Sequence, residues 1–353
     1  MKVGPLWHAF QEHADAFRVK LLHTGQHYDP NMSDVFFRDL GLPRPDIHLG
    51  VGSGTHAEQT AAVMVGFEKV CRAERPDLVL VVGDVNSTMA VAITAKKMLI
   101  PVGHVEAGLR SRDWTMPEEV NRILTDVICD HLFTPSPDAD DNLVAEGIDR
   151  ARIHLVGNIM IDSLVRALAK ARTLALHAEL GVPDGSYGLV TLHRPANVDD
   201  PANLKRMIEA VAALGVPLVF PVHPRTRKIM EGAALVGRND GSGGLVRLLD
   251  PVGYHDFLSL ELHARFIVTD SGGIQEETTY LGIPCLTLRP NTERPITITQ
   301  GTNELVTLDQ LQESVARILA GRWKKGRVPD LWDGHCAERI VGVLRRLRAA
   351  PAA

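Results

Sequence analysis

Short apolar strands alternate with helical segments along almost the whole chain, and this alternation constrains the fold more than any other feature. Strands are predicted at residues 78–82, 102–105, 188–192, 218–222 and 266–269. The pattern is typical of parallel sheets covered by helices. The 353 residues, 45% of them hydrophobic, are enough for two separate cores. We therefore predict an α/β protein with a first domain at residues 1–160 and a second at 161–333.

Composition excludes several classes of partner. The net charge of −5 provides no broad basic field for nucleic acid or an anionic membrane, and aromatic residues are only 5% of the chain. No apolar stretch is long enough to span a bilayer, and the N-terminus lacks a signal peptide's apolar core, so we expect a cytoplasmic protein. The cysteines are widely spaced, which predicts reduced core residues and no metal site; they are Cys71, Cys129, Cys285 and Cys336.

Residues 265–294 carry the densest set of glycine and polar residues. A buried strand is predicted to end at Asp270 and Ser271, a pair suited to capping the helix that follows. Gly272 and Gly273 allow the backbone to approach a ligand closely. Because free N–H groups and the positive end of the helix dipole face outward at such a turn, it is suited to bind an anion.

The helix after this turn carries Glu276 and Glu277, which suit an acceptor of sugar hydroxyls more than a partner of phosphate. Arg294 lies beyond the next strand, where it can return to the same turn. The alternative is an ordinary strand-turn-helix corner with a solvated acidic face. The crowding of acids, glycines and an arginine at one sheet edge favours a nucleotide-sugar site.

Polar residues follow most of the predicted strands, at the edge where open α/β sheets bind ligands; they are Gln26, Asp84, Glu106, His193, His223 and Ser271. Asp84 and Glu106 follow successive strands and are candidates for a proton-transferring pair, although a helix cap and a loop salt bridge would explain them equally. His193 ends an apolar strand, where its ring can reach a phosphate or a proton.

The helix that Pro117 opens is predicted to run to about Cys129. Its apolar spacing predicts a buried stripe of Val120, Ile123, Leu124 and Val127. Glu118 and Arg122 are four residues apart, which fits either a surface ion pair or a third acid turned toward Glu106. Phe257 is either a core aromatic or a stacking partner for a pyrimidine.

Seven segments together resemble the UDP-N-acetylglucosamine 2-epimerase family: TGQHYDPNM, VVGDVNST, HVEAGLRS, MPEEVNR, TLHRPANVD, PVHPRTR and TDSGGIQEETTYLGIPCL followed by TERP. They run in family order over residues 2–306. The resemblance implies a glycosyltransferase-B-like fold of two Rossmann-like domains, with a C-terminal helix at 334–353 crossing back to the first. It also implies a homodimer, a UDP-sugar substrate and no cofactor or metal.

The resemblance further implies a non-hydrolysing epimerase that eliminates UDP to a glycal and re-adds it, interconverting UDP-N-acetylglucosamine and UDP-N-acetylmannosamine. The proton-transfer and charge roles then fall to Asp84, Glu106, Glu118 and His193. The residues that hold UDP and sugar are Lys2, Arg122, Ser271, Gly272, Glu277 and Arg294, with Phe257 against the uracil. Some relatives have a second, activating UDP-sugar site, which corresponds here to Gln26, Gln59, Arg194 and His223.

Two features depart from the family pattern. The family begins with a strand and a Gly-Thr-Arg-Pro-Glu phosphate loop, and Lys2 matches the lysine just after that loop. We therefore expect a truncated or misplaced start and a first sheet without that strand. Glu58 stands where the activated relatives often carry arginine, which argues against activation. Four alternatives stay open: an epimerase of UDP-2,3-diacetamido-glucuronate, a hydrolysing epimerase, a glycosyltransferase and an inactive nucleotide-sugar binder.

Overall fold

The computed structural model describes residues 1–25, 37, 40–233 and 245–349. The chain divides into two compact units: unit 1 contains Met1–Ser163 and Asp330–Ala353, and unit 2 contains Leu164–Pro329. No helix in the described ranges combines the length and apolar content that crossing a bilayer demands.

Unit 1 is built around two parallel sheets. Its strands are β1 (Leu22–His23), β2 (Ile47–His48), β3 (Val79–Val82), β4 (Val102–Val105), β5 (His131–Thr134) and β6 (Ile153–Leu155). Its helices are α1 (Val3–Gln11), α2 (His56–Glu74), α3 (Asn86–Lys97), α4 (Pro117–Ile128) and α5 (Pro137–Ala145), and α6 (Ile159–Ala171) leads into unit 2. Strands β3 to β6 pair in chain order, whereas β1 and β2 form a separate pair.

The register of β3 and β4 brings two predicted acids to one sheet edge. Val82 pairs with Val105, so the residues that follow both strands, Asp84 and Glu106, leave the sheet side by side. The sequence predicts a helix at residues 6–17 near the start of the chain, and the structure has this helix, α1, at Val3–Gln11.

The prediction for the buried face of α4 was wrong. Leu124 and Val127 are 44% and 52% exposed, whereas Glu119, Arg122 and Asp126 are buried. The apolar periodicity misleads here because the helix turns its polar face into unit 1, where these side chains form ion pairs with one another and with strand ends.

The described residues of unit 2 form a six-stranded parallel sheet in the order β12-β11-β10-β7-β8-β9, with helices packed on it. The strands are β7 (Gly188–Thr191), β8 (Leu218–Pro221), β9 (Val246–Leu249), β10 (Phe266–Thr269), β11 (Cys285–Thr287) and β12 (Asn303–Leu305). The helices are α7 (Leu176–Glu179), α8 (Pro195–Val198), α9 (Pro201–Ala212), α10 (Pro224–Gly232), α11 (Tyr254–Leu262), α12 (Gly272–Leu281), α13 (Ile296–Thr299) and α14 (Leu308–Leu319).

Strand β10 lies at the centre of this sheet, paired with β7 and β11, and is fully buried. Apolar clusters cover both faces of the sheet. The sequence predicts one long helix from residue 159 to about residue 180, but the structure has two helices there, α6 and α7. The break follows Ala171, where the Thr173 hydroxyl donates to the carbonyl of Lys170 at 2.7 Å and so competes with continued helical bonding.

The last helix, α15 (Cys336–Ala349), packs on α1 in unit 1. Asp162 caps it by accepting hydrogen bonds from the N–H groups of Cys336 (3.0 Å) and Ala337 (2.7 Å). The segment leading to α15 passes close to Gly157, which has a φ of +88°; a Cβ there would lie 2.1 Å from the carbonyl oxygen of Leu331.

Replacing Gly157 by Ala should therefore destabilise unit 1 by about 2–5 kcal/mol, from left-handed strain plus overlap with Leu331. Gly147 is a matched control, since its φ is +82° and a Cβ would meet nothing within 4 Å. Gly147→Ala should cost only the strain, about 1–2 kcal/mol. Urea unfolding followed by tryptophan fluorescence measures both, and equal losses of stability would contradict the close approach of the two segments.

Candidate active site

The first cluster of predicted residues lies at the ends of β3 and β4. Glu106 is 5% exposed and forms an ion pair with Lys2. A Cβ on Gly83 would lie 3.0 Å from Nζ of Lys2 and 3.5 Å from Oε2 of Glu106, and the φ of Gly83 is +72°. Glycine is thus required for the turn that carries Asp84 past this pair.

Glu106 itself has a φ of +75°, a left-handed conformation that is costly for a side chain larger than glycine. Such strain persists only where surrounding contacts enforce it, and it is concentrated at functional sites. The backbone N–H of Glu106 donates to the carbonyl of Phe133 at 3.1 Å. The strain and the burial together set Glu106 apart from an ordinary loop salt bridge.

A buried histidine, His104, contacts the turn at Gly83. His104 lies 2.9 Å from the carbonyl oxygen of Gly83 through Nε2, and 2.6 Å from Oδ1 of Asp126 through Nδ1. Burial alone would raise the pKa of Asp126, but His104 and Arg110 more than offset it, so the pKa stays below its usual range. The charged Asp126 therefore anchors the β3 and β4 ends to α4.

Arg122 joins Asp84 to α4. Its Nε and Nη2 both donate to Oδ2 of Asp84, at 3.1 and 2.8 Å, and its Nη1 donates to Glu119 at 2.5 Å. Glu119 also accepts from the N–H groups of Ser111 (3.0 Å) and Arg112 (2.7 Å). The guanidinium of Arg122 therefore holds the Asp84 carboxyl in a fixed orientation.

The structure does not bring Glu118 into this network. Arg122 pairs with Asp84 and Glu119, and the Glu118 side chain makes no hydrogen bond or ion pair with the described residues. Gln59 is connected more indirectly: it accepts from Asn86 at 3.0 Å. In a separate hydrogen bond, the side-chain amide of Asn121 donates to the backbone carbonyl of Asp84 at 2.9 Å.

The second cluster lies at the N-terminus of α12 in unit 2. Asp270 and Ser271 were predicted to cap this helix, but Ser271 makes no side-chain capping bond and Asp270 turns to the end of β7. Asp270 accepts from the N–H groups of His193 (3.0 Å) and Arg194 (2.9 Å). The first-turn N–H groups of α12 are thus left without a side-chain cap from Ser271.

His193 is oriented by the same carboxylate. Its Nδ1 lies 3.0 Å from Oδ1 of Asp270, and its ring centroid lies 5.5 Å from that of His223. Burial would raise the pKa of Asp270, but the hydrogen bonds from His193, Arg194 and Asn197 hold it below its usual range. Burial and the neighbouring His193 lower the pKa of His223.

A buried ionic network surrounds the glycine turn, where a solvated acidic face was the alternative. Glu276 is 1% exposed, and its Oε1 lies 2.7 Å from Nε of Arg294. Arg294 also pairs with Glu293, which in turn accepts from Arg289 at 2.7 Å. A Cβ on Gly272 would lie 2.6 Å from Nη1 of Arg294, so only glycine lets the guanidinium reach the helix N-terminus.

Glu277 faces a different direction from Glu276. It is 2% exposed, and its Oε1 accepts a hydrogen bond from the hydroxyl of Tyr254 on α11 at 2.7 Å. Phe257, on the same helix, is half-buried against the apolar cluster of β7 and β10.

The structure thus groups Lys2, Asp84, Glu106 and Arg122 in unit 1, and His193, Arg194, His223, Ser271, Gly272 and Arg294 in unit 2. Gln26 lies outside the described residues. Sequence reasoning missed the partners Glu119, Asp126 and Glu293, and the orienting role of Asp270. Only their position next to predicted residues could have indicated them. No group of three or more potential metal ligands occurs in the described ranges.

A family model described as UDP-N-acetylglucosamine 2-epimerase matches residues 8–345. The UDP-N-acetylglucosamine 2-epimerase of Methanocaldococcus jannaschii is 40% identical over 353 residues, covering 98% of this chain and 95% of the relative. A crystal structure of the M. jannaschii enzyme in complex with UDP-N-acetylglucosamine and UDP superposes with a TM-score of 0.88 at 40% identity, covering 98% of this chain and 96% of that one.

Two further comparisons mark the range of the similarity. The UDP-2,3-diacetamido-2,3-dideoxy-D-glucuronate 2-epimerase of Pseudomonas aeruginosa is 41% identical over 334 residues, 93% of this chain and 91% of the relative. The calicheamicin glycosyltransferase CalG4 is only 15% identical, with a TM-score of 0.58 over 99% of this chain and 95% of that one, a likeness of fold alone.

Proposed function

The chain belongs to the UDP-N-acetylglucosamine 2-epimerase family and has its glycosyltransferase-B fold, and we propose that it interconverts UDP-N-acetylglucosamine and UDP-N-acetylmannosamine without hydrolysis. The observation that carries the proposal is the pair of oriented carboxylates at the β3 and β4 ends. Asp84 is held by Arg122, and Glu106 is held in a strained backbone conformation beside Lys2. Two acids fixed side by side suit a reaction that removes a proton and returns it.

The reaction has to break a C–H bond that is not acidic, because no carbonyl adjoins C2 of the sugar. We propose that a carboxylate takes the C2 proton while UDP leaves C1 with the electron pair of the C1–O bond. The product pair is a glycal and UDP. The reverse addition forms the C1–O bond again and delivers a proton to the opposite face of C2, which inverts that centre. Asp84 and Glu106 are the candidates for the two proton transfers.

Unit 2 is proposed to hold the nucleotide. The N–H groups at the start of α12, uncapped by Ser271, suit the diphosphate, since a helix N-terminus carries partial positive charge. His193, oriented by Asp270, adds a donor for the phosphate oxygens. Glu277 is proposed to accept sugar hydroxyls, and the half-buried ring of Phe257 to contact the uracil.

Activation by a second UDP-sugar is not part of this proposal. Glu58, which replaces the arginine of activated relatives, is used in the capping box of α2: it accepts from the N–H of Thr55 at 2.9 Å. Arg194 is engaged by the carbonyl of Asp270 and by Glu293. A homodimer, by contrast, fits the exposed apolar residues Leu124 and Val127 of α4, and we include it in the proposal.

Incubation with single UDP-sugars, followed by NMR of the products, tests the proposal. We expect UDP-N-acetylglucosamine to yield UDP-N-acetylmannosamine with the UDP–sugar bond intact. Free N-acetylmannosamine with UDP would instead identify a hydrolysing enzyme. Turnover of UDP-2,3-diacetamido-glucuronate alone would contradict the proposed substrate, and binding of every sugar without turnover would contradict enzymatic function.

A further inference from the structure

A second carboxyl pair lies at the buried contact of α11 and α12, and the mechanism above gives it no role. Glu261 of α11 is 0% exposed and contacts Glu277 of α12, which is 2% exposed. Neither carboxyl oxygen of Glu261 has a hydrogen-bond donor among the described N–H and O–H groups. The hydroxyl of Tyr254 donates to Glu277 at 2.7 Å.

Two buried carboxyl groups in contact cannot both stay charged, because burial and mutual repulsion disfavour the second charge. The other groups around the pair do not neutralise it. Glu276 adds a negative charge, which its ion pair with Arg294 balances. Burial is the main cause that raises the pKa of the Cys285 thiol to about 12. Burial also lowers the pKa of Lys324. The other titratable residues of α11 are Tyr254, His255 and Asp256.

Burial and the neighbouring carboxyl also determine the direction in which each pKa of the pair shifts. Burial, followed by the charge of Glu277, raises the pKa of Glu261 well above its usual range. Burial also raises the pKa of Glu277 to about 7, with the Tyr254 hydroxyl and Glu261 limiting the rise. Above pH 7 the pair therefore holds one proton, and below it two.

We propose that Glu261 stays protonated and donates a hydrogen bond to Glu277 when that carboxylate accepts neighbouring hydroxyls of a bound nucleotide sugar. This inference rests on the proposed function, because it assumes a ribose at Glu277. Glu261 is then a positioning residue: it lets Glu277 be an anion in a buried place by keeping the neighbouring carboxyl neutral. Proton balance follows directly, since below pH 7 the proton of Glu277 leaves to solvent on binding while that of Glu261 stays.

The sign of the pH effect is fixed by this balance. Binding of hydroxyls favours ionised Glu277, so affinity should be constant above pH 7 and fall as the pH drops below it. With a pKa of about 7, the loss between pH 8 and pH 6 is about tenfold. Glu261→Gln keeps a neutral hydrogen-bond donor beside Glu277, so this variant should retain the pH dependence of the wild type. Glu261→Met removes the donor, so Glu277 should ionise only at a higher pH and the fall in affinity should begin above pH 7.

Calorimetry in buffers of different ionisation enthalpy tests this with UDP and 2′-deoxy-UDP as probes. The β-phosphate titrates equally in both ligands, so the difference in proton release isolates the missing hydroxyl. At pH 6 the wild type should release more protons with UDP than with 2′-deoxy-UDP, and at pH 8 it should not. In Glu261→Gln the excess should stay as in the wild type. In Glu261→Met it should also appear at pH 8, and the affinity for UDP at pH 6 should fall about tenfold.

Glu313→Gln, an exposed acid on α14, is the matched control and should behave as the wild type. If Glu261→Met showed no excess at pH 8, like the wild type, the role of Glu261 would be overturned and the proposed function would stay intact. Should that variant fail to fold, the wild-type comparison decides, because equal proton release by the two ligands at pH 6 also overturns the inference. No binding of UDP at any pH would contradict the proposed function, and the inference with it.

Discussion

Asp84→Asn is expected to lower kcat by about 10²- to 10⁴-fold and to change KM far less, because an amide cannot take up the C2 proton. The substitution is structurally mild. Both hydrogen bonds from Arg122 end on the same oxygen, Oδ2, so the amide oxygen can take that position and retain them. Initial rates with UDP-N-acetylglucosamine, followed by NMR, give the two constants.

The control for this prediction is Asp141→Asn, an exposed acid on α5 of the same unit. It should leave kcat, KM and the thermal midpoint unchanged. Asp84→Asn should share that thermal midpoint, which separates lost chemistry from lost structure. A kcat within about twofold of the wild type would remove Asp84 from the proton transfers.

Arg122→Met is expected to lower the free energy of unfolding by about 3–5 kcal/mol, together with a loss of turnover. The guanidinium is the ion partner of Glu119, which is 0% exposed, and of Asp84. Removing it leaves a carboxylate buried without its counter-ion, and the backbone N–H groups of Ser111 and Arg112 only partly compensate. Chemical denaturation of the purified variant measures the loss.

An exposed arginine offers the matched comparison. Arg72 pairs with Glu68 on α2 at 2.6 Å, with side chains 71% and 46% exposed. Because water screens such a pair, Arg72→Met should change stability by only about 0.5 kcal/mol. If the two variants lost the same stability, the network around Arg122 would not be the buried clamp described here.

The strand ends were predictable from the sequence, because short apolar runs have few alternatives in an alternating α/β chain. The register of β3 and β4 then follows from parallel pairing, and it brings Asp84 and Glu106 together as expected. The glycine turn at Gly272 was likewise visible, although the reason for the glycine, the approach of Arg294, is a tertiary contact.

The polar networks were not predictable in the same way. On α4 the apolar residues Leu124 and Val127 are spaced like a buried stripe, yet they face outward because the opposite face forms ion pairs. Hydrophobic periodicity cannot distinguish these cases, since it assumes that polar faces are solvated. Asp270 has the local sequence of a helix cap. Only the position of β7 shows that its carboxylate accepts from the N–H of His193 instead.

Glu261 illustrates the limit most clearly. In sequence it is one acid on a short helix, and a solvated position would be the default interpretation. Its burial against Glu277 depends on how α11 packs on α12. Pairs of this kind are set by tertiary structure and are found only once the fold is known.

The incorporation of solvent deuterium at C2 tests the central claim most directly. The enzyme is incubated with UDP-N-acetylglucosamine in D₂O, and both UDP-sugars are examined by NMR as they approach equilibrium. Elimination and re-addition through Asp84 and Glu106 predict deuterium at C2 of the intact UDP-N-acetylmannosamine formed. Epimerised product that retains its original hydrogen at C2 would contradict the mechanism.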